Sequence, residues 1–139
     1  MCRQLDDRRG EAITLYNLGE LHGAQHRCTE AVGAYEQSLW ICQELGDRPG
    51  EGRNLSALGE IHRGQGRLED AVGCLGRASE VLGEVGAEHP QGEALRRLGL
   101  AVDALGDPTE ARLCFEQALA IFERLHAPEA GQVRILLDG

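Results

Sequence analysis

Apolar residues recur along the chain every three or four positions, as in Leu15, Leu18 and Leu21, and again in Ala31, Ala34, Tyr35, Leu39 and Cys42, with Ser38 on the same stripe. Such spacing gathers side chains onto one side of an α-helix, so the pattern predicts amphipathic helices and no strands. First helices are expected at about 10–25, 50–65 and 90–105, and second helices at about 28–45, 68–85 and 108–125. Turn residues punctuate the boundaries: Gly46-Asp47-Arg48-Pro49-Gly50, His89-Pro90 and Gly106-Asp107-Pro108. Asp107-Pro108-Thr109-Glu110 reads as a capping box with Pro at the first helical position.

Shifted by forty residues, the chain matches itself without gaps. Leu15, Leu55 and Leu95 align, as do Leu18-Gly19, Leu58-Gly59 and Leu98-Gly99; Ala31, Ala71 and Ala111; Tyr35, Leu75 and Phe115; and Ile41, Val81 and Ile121. The chain is therefore one all-α domain of three helix-turn-helix units, at about 10–47, 50–87 and 90–127. Glycine inside a helix costs about 1 kcal/mol relative to Ala. The alignment of Gly19, Gly59 and Gly99 points to a geometric need, a close approach of the paired helix, with Ala31, Ala71 and Ala111 expected as the facing half. Gly73, Gly76 and Gly83 fall in one second helix and mark it as the least stable.

Both ends read as pieces of further units. Cys2-Arg3-Gln4-Leu5-Asp6-Asp7-Arg8 matches Cys42-Gln43-Glu44-Leu45-Gly46-Asp47-Arg48, which makes 1–8 the expected tail of a preceding second helix. Residues 129–139 start a fourth first helix, with Gly139 in register with Gly99, and serve as a C-terminal cap in which Ile135, Leu136 and Leu137 cover the last unit or pair with another copy.

Composition narrows the chemistry. All 14 basic residues are Arg, against 23 acidic residues, for a formal charge of −9 and a pI near 5.0. Such a chain repels nucleic acid and anionic membrane, so neither is an expected partner. The absence of Lys suggests codon bias in a GC-rich bacterial genome. No apolar run reaches the ~20 residues of a membrane span, and the start lacks the order of a signal peptide, so a cytoplasmic location is expected. The five cysteines form no CxxC pair. Cys2 with Cys42, and Cys74 with Cys114, occupy equivalent repeat positions as small hydrophobes.

The combination of Leu15/Leu18-Gly19 with Ala31, Tyr35 and Ser38, Leu55/Leu58-Gly59 with Ala71, Leu75 and Ala78, and Leu95/Leu98-Gly99 with Ala111, Phe115 and Ala118 resembles the tetratricopeptide repeat. The resemblance covers about residues 10–126. The first bulky position is Leu where that family usually has Trp, and the closing Pro of its thirty-four-residue form is absent. The longer unit is similar to repeats of spindle adaptors, kinesin light chains and bacterial multidomain transcriptional regulators. What the resemblance implies is a helical-repeat solenoid, a superhelix whose first helices line a concave groove that binds a protein or peptide partner in a regulatory or scaffolding role.

Carried onto matching positions, the resemblance puts Tyr16, Asn17 and Glu20, then Arg53, Ser56, Glu60 and Arg63, then Arg96, Arg97 and Leu100 on that groove, with Ile13 and Glu93 beside them. Guanidinium groups hold carboxylates by paired hydrogen bonds, so several Arg in an acidic protein suggest an acidic segment as ligand. The alternative is that these Arg pair with Glu20, Glu60 and Glu93 on a solvated face. The Lys/Asn clamp by which some relatives hold chaperone tails has no counterpart, since the chain has no Lys.

Other features carry less. His22 and His26, four apart with Cys28 beyond, have zinc-ligand character on a helix, but two residues do not make a site, and interhelical packing is the expected role of His22 and its equivalent His62. No metal or cofactor is expected. GxxxxGK, GxSxG and HExxH are absent, so no enzyme is indicated. Trp40 is expected to be a packing anchor, because Leu39 and Ile41 beside it lie on buried faces. The rival to groove binding is self-assembly, with the terminal helices forming a homodimer or a longer stack.

Overall fold

The computed structural model describes residues 2–138, with side chains from residue 6 onward; the expected register of Gly139 and the burial of Cys2 lie outside the described residues. Seven helices follow one another there: α1 (Cys2–Ala24), α2 (Cys28–Leu45), α3 (Arg48–Gly64), α4 (Leu68–Glu84), α5 (Glu88–Ala104), α6 (Pro108–Arg124) and α7 (Glu129–Asp138). Apart from the start of α1, the first six begin and end within two residues of the expected spans. Successive helices pack in antiparallel pairs, α1 with α2, α3 with α4 and α5 with α6, and α3 also touches α5 directly. The molecule is an all-α repeat solenoid with α1, α3 and α5 as one layer and α2, α4 and α6 as the other.

All six interhelical turns share one geometry. A residue with left-handed backbone stands at 26, 46, 66, 86, 106 and 126, every twenty residues, so the structural period is half the sequence period. Around each, the next N–H reaches back five residues to a carbonyl, as in Arg27 N to His22 O (2.8 Å) and Ala127 N to Phe122 O (2.8 Å). The left-handed residue's own N–H bonds three back, Gly66 N to Arg63 O at 3.0 Å for example. This is the Schellman arrangement, which satisfies carbonyls orphaned at a helix end. Four of the six positions are Gly; His26 (φ 61°) and His126 (φ 55°) hold the other two.

The same device explains why α1 differs from expectation. The helix runs unbroken from Cys2, so residues 2–8 continue the first helix of unit one and are not the tail of a separate element. Where Gly46 (φ 69°) stops α2 and Pro49 starts α3, the aligned positions are Asp6 and Arg9, which supply neither a left-handed residue nor a break. At the start of α3 and α6, Asp47 and Asp107 accept hydrogen bonds from Gly50 N (3.0 Å) and Glu110 N (3.1 Å), with Pro in the first turn.

The aligned glycines have the role their repetition suggested but a different partner. A Cβ on Gly19 would lie 2.6 Å from the Tyr35 ring and one on Gly99 2.5 Å from the Phe115 ring, while at Gly59 it would collide with Leu75. The large side chain of the second helix lies on bare backbone of the first, so it is not Ala31, Ala71 or Ala111 that faces the glycine. Those alanines are buried one turn earlier, where Ala31 packs with Leu58, and Ala71 with Leu98 and Ala101 of the next unit.

Ion pairs repeat as well. Arg8 with Glu44 and Arg48 with Glu84 (2.6 Å) tie aligned positions of α1 and α3, the latter the first residue of its helix, to the end of the partner helix, and in the third unit Glu88 and Arg124 make the same bridge with the charges exchanged. At the C-terminal side α7 packs on α6 through Ala130 and Val133, with Leu136 and Leu137 half-buried and Ile135 turned to solvent.

Two alanine substitutions separate the kinds of glycine. Gly99→Ala is expected to destabilise by about 1–3 kcal/mol through collision with Phe115. Gly73→Ala, whose Cβ meets nothing within 4 Å in the exposed middle of α4, should instead stabilise by about 1 kcal/mol. Chemical denaturation of both variants checks the opposite signs.

Candidate functional site

The layer formed by α1, α3 and α5 carries the residues expected to line the groove, and the structure divides them into two clusters. The first lies where α1, α2 and α3 diverge, around a cavity of about 660 Å³. Tyr16 and Asn17 line it together with Ala12, Ile13, Leu45 and Pro49, and two guanidinium groups, Arg9 and Arg53, stand on its wall. Ile13 is 62% exposed, an apolar surface left open. Among the described residues neither Arg9 nor Arg53 has a carboxylate within ion-pair distance; the acid that also lines the cavity, Asp47, is engaged in capping α3.

A buried polar chain forms the floor. Ser38 Oγ donates to Ala12 O (2.8 Å), Asn54 Nδ2 donates to Ser38 Oγ (3.0 Å) and to Gly50 O (3.0 Å), and the Cys42 thiol approaches Asp47 Oδ2 at 3.8 Å. These bonds fasten α1, α2 and α3 to one another. Burial, and then the charge of Asp47, push the Cys42 thiol above its usual pKa, so it stays protonated and unreactive. Asn54 Oδ1 has no hydrogen-bond partner although the residue is 2% exposed. Asn54 was not among the expected site residues; the available signal was a polar residue aligned with Ala94 inside an apolar stripe.

The second cluster lies between α3 and α5. Arg63 Nε binds Glu60 at 2.6 Å and Arg96 Nε binds Glu93 at 2.9 Å, each within its own helix. Arg97 bridges them, 3.7 Å from Glu60, 3.8 Å from Glu93, and donating to Ser56 Oγ at 3.0 Å. Three of the four expected recognition arginines are thus occupied by the chain's own carboxylates, and Ser56 is buried beneath Arg97. Burial alone would push the Glu93 carboxyl up, but its bond to Arg96 and the charges of Arg96 and Arg97 outweigh that and hold it below the usual range. Leu100 is half-buried against the core of unit three.

Tyr16 and Glu20 link the clusters. Tyr16 meets the Tyr35 ring edge-on with centroids 5.6 Å apart. Burial, followed by Tyr16 and Glu20, raises the Tyr35 phenol to about 12, and burial with Glu20 raises Tyr16 against the lowering charges of Arg53 and Arg97. Both hydroxyls remain protonated donors at neutral pH.

His26 is not on a helical face with His22: α1 ends at Ala24 and His26 is the left-handed residue of the turn, exposed to solvent. His22 and its equivalent His62 each bury an Nδ1 without a partner, and among the described residues no three ligand-type side chains converge. Trp40 is 60% exposed and anchors nothing in the core; the aligned Glu80 and Ala120 are exposed too, a signal that outweighs its buried neighbours in sequence. No described helix is long and apolar enough to cross a membrane.

A family model described as tetratricopeptide repeat matches residues 10–84 and 53–124. No curated protein sequence matches the chain. Among solved structures, the apo form of RapI superposes with a TM-score of 0.88 at 17% identity over 94% of this chain and 37% of that one. Aspartyl phosphate phosphatase F from Bacillus subtilis gives 0.87 at 18% identity over 94% of this chain and 34% of that one. The N-terminal domain of stress-induced protein-1 from C. elegans gives 0.75 at 20% identity over 95% and 98%. The chain spans about a third of the length of the first two.

The depressed Glu93 pKa has a consequence for stability. Its contribution is present above the ordinary carboxylate pKa of 4.5 and is lost as pH falls through the lower folded value. Glu93→Gln is expected to lose less stability than the wild type between about pH 5 and pH 3, as read by denaturant midpoints across that range.

Proposed function

Because the chain belongs to the tetratricopeptide repeat family, we propose that it is a protein-interaction module whose inner groove holds an extended acidic segment of a protein partner. The observation that carries this reading is the pair of uncommitted guanidinium groups, Arg9 and Arg53, beside the open apolar wall of Ile13, Leu45 and Pro49. A carboxylate side chain meets Arg53, and apolar residues of the same segment lie against Ile13 and Tyr16. Arg63, Arg96 and Arg97 shape the groove further along, with their charge already matched by Glu60 and Glu93. A regulatory or scaffolding role in a bacterial cytoplasm accords with a binder that carries no catalytic motif.

The test is selection from a peptide library on the immobilised chain, followed by calorimetry of the enriched peptides. Wild type should enrich Asp- and Glu-bearing segments, Arg53→Glu should weaken them by about tenfold or more, and Arg96→Glu should change little. Enrichment without acidic residues, or equal affinity for wild type and Arg53→Glu, overturns the reading.

A second reading, self-assembly, is favoured by the exposed apolar residues on α1 and α7. Leu18 and Leu21 are 40% and 52% exposed, while the aligned Leu58 and Ala101 are buried beneath the second helix of the preceding unit. Ile135 is 72% exposed on α7. If these faces join copies, sedimentation will show a mass that rises with concentration and falls back to the monomer in Leu21→Glu. A constant monomer mass removes this reading.

A further inference from the structure

The outer layer of α2, α4 and α6 carries a feature that the repeat does not need. Trp40 is the sole tryptophan of the chain, and of its aromatic residues Tyr35, Phe115 and Phe122 are buried and Tyr16 is half-buried. Trp40 alone projects its ring into solvent, at a position where units two and three carry Glu80 and Ala120. The architecture therefore accepts a small or charged residue there, and packing does not explain an exposed indole.

Its surroundings define what would cover it. Glu36 and Glu44 stand one turn before and one turn after on the same exposed stripe of α2, with Gln37 and Gln43 alongside. Glu44 is held by Arg8, while Glu36 has no ion-pair partner among the described residues. An indole face is electron-rich and attracts cations most strongly among the aromatic rings. A carboxylate within one helical turn adds an ion pair to the same visiting charge, and the flat guanidinium satisfies both by stacking on the ring while its edge N–H groups point to the acid.

We propose that Trp40, with Glu36 and Glu44, forms a docking surface on the outer layer, distinct from the groove, that takes an arginine-bearing segment of a protein partner. The guanidinium stacks on the indole and pairs with Glu36. Charge complementarity sets this occupant apart from two others. An anionic membrane surface is repelled by the flanking carboxylates and by the net charge of −9. A second copy meeting this one through the same surface would bring Glu36 against Glu36.

Because Trp40 is the only tryptophan, its emission reports this site directly. The full chain would be titrated with an acetylated and amidated arginine–leucine peptide. A saturable change in emission is expected, weakened about tenfold by Glu36→Arg and unaffected by Glu116→Arg, which reverses the aligned exposed carboxylate on α6. Calorimetry on Trp40→Glu, the residue that unit two carries at this position, should show binding lost and the melting temperature unchanged. Equal weakening by the two charge reversals would mean bulk attraction and overturns the proposal, as does binding retained by Trp40→Glu or no saturable response. Emission that shifts with protein concentration alone, or more strongly with anionic lipid vesicles than with the peptide, assigns the surface to a second copy or a membrane and also overturns it.

Discussion

The seating of Tyr35, Leu75 and Phe115 on the bare backbone of Gly19, Gly59 and Gly99 sets the distance between the two helices of each unit, and the remaining packing follows from that distance. With the pair drawn close, the alanines one turn earlier are closed over by the next unit, and the leucines at 55 and 95 fill the interior between paired helices. A β-carbon at any of these glycines would collide with the side chain seated on it, so that the side chain or the paired helix would have to move. The helical cost of each glycine is offset by burial of a large side chain, which contributes about 1.5–3 kcal/mol.

On this frame the layer of α1, α3 and α5 sorts its charges by neighbourhood. Between α3 and α5, where the helices touch, arginines and glutamates are near enough to neutralise one another and stiffen the surface. Between α1 and α3 a cavity opens instead, its one lining acid, Asp47, is engaged in capping, and Arg9 and Arg53 are left facing solvent beside apolar side chains. The layer of α2, α4 and α6 shows the converse at Trp40, an aromatic ring between Glu44, which is held by Arg8, and Glu36, which has no ion-pair partner among the described residues. The two layers thus differ at these points, with the unpaired Arg9 and Arg53 between α1 and α3 and an unpaired Glu36 beside Trp40 on α2, within a chain whose overall charge is acidic.

Much of the architecture was legible because a forty-residue repeat states each helix three times, and coincident stripes cancel local noise. The glycine contact was legible as a need but not as a pair: Ala31 and Tyr35 lie about one turn apart on the same stripe, and alignment cannot tell which of them meets Gly19. The continuity of α1 was hidden because Cys2–Arg8 resembles the end of α2 in its apolar residues while lacking the one glycine that stops it. At the site, sequence placed the named residues on α1, α3 and α5 but could not tell a paired arginine from a free one. That distinction depends on whether Glu60 and Glu93 come within reach across two helices. For Trp40 the sequence neighbours point to a buried face, whereas its repeat equivalents, Glu80 and Ala120, carry the better information.

Tandem units of similar sequence face a hazard during folding, since a helix can pair with the counterpart of its true partner from another unit. The exchanged polarity of the third bridge acts against this. A helix carrying Arg48 accepts Glu44 as readily as Glu84, so units one and two remain confusable by charge. If α5 took the place of α1 on α2 or of α3 on α4, however, Glu88 would meet Glu44 or Glu84, and α6 in the place of α2 or α4 would set Arg124 against Arg8 or Arg48. One transposed charge pair thereby gives the third unit an electrostatic identity that the first two, alike in charge, do not have.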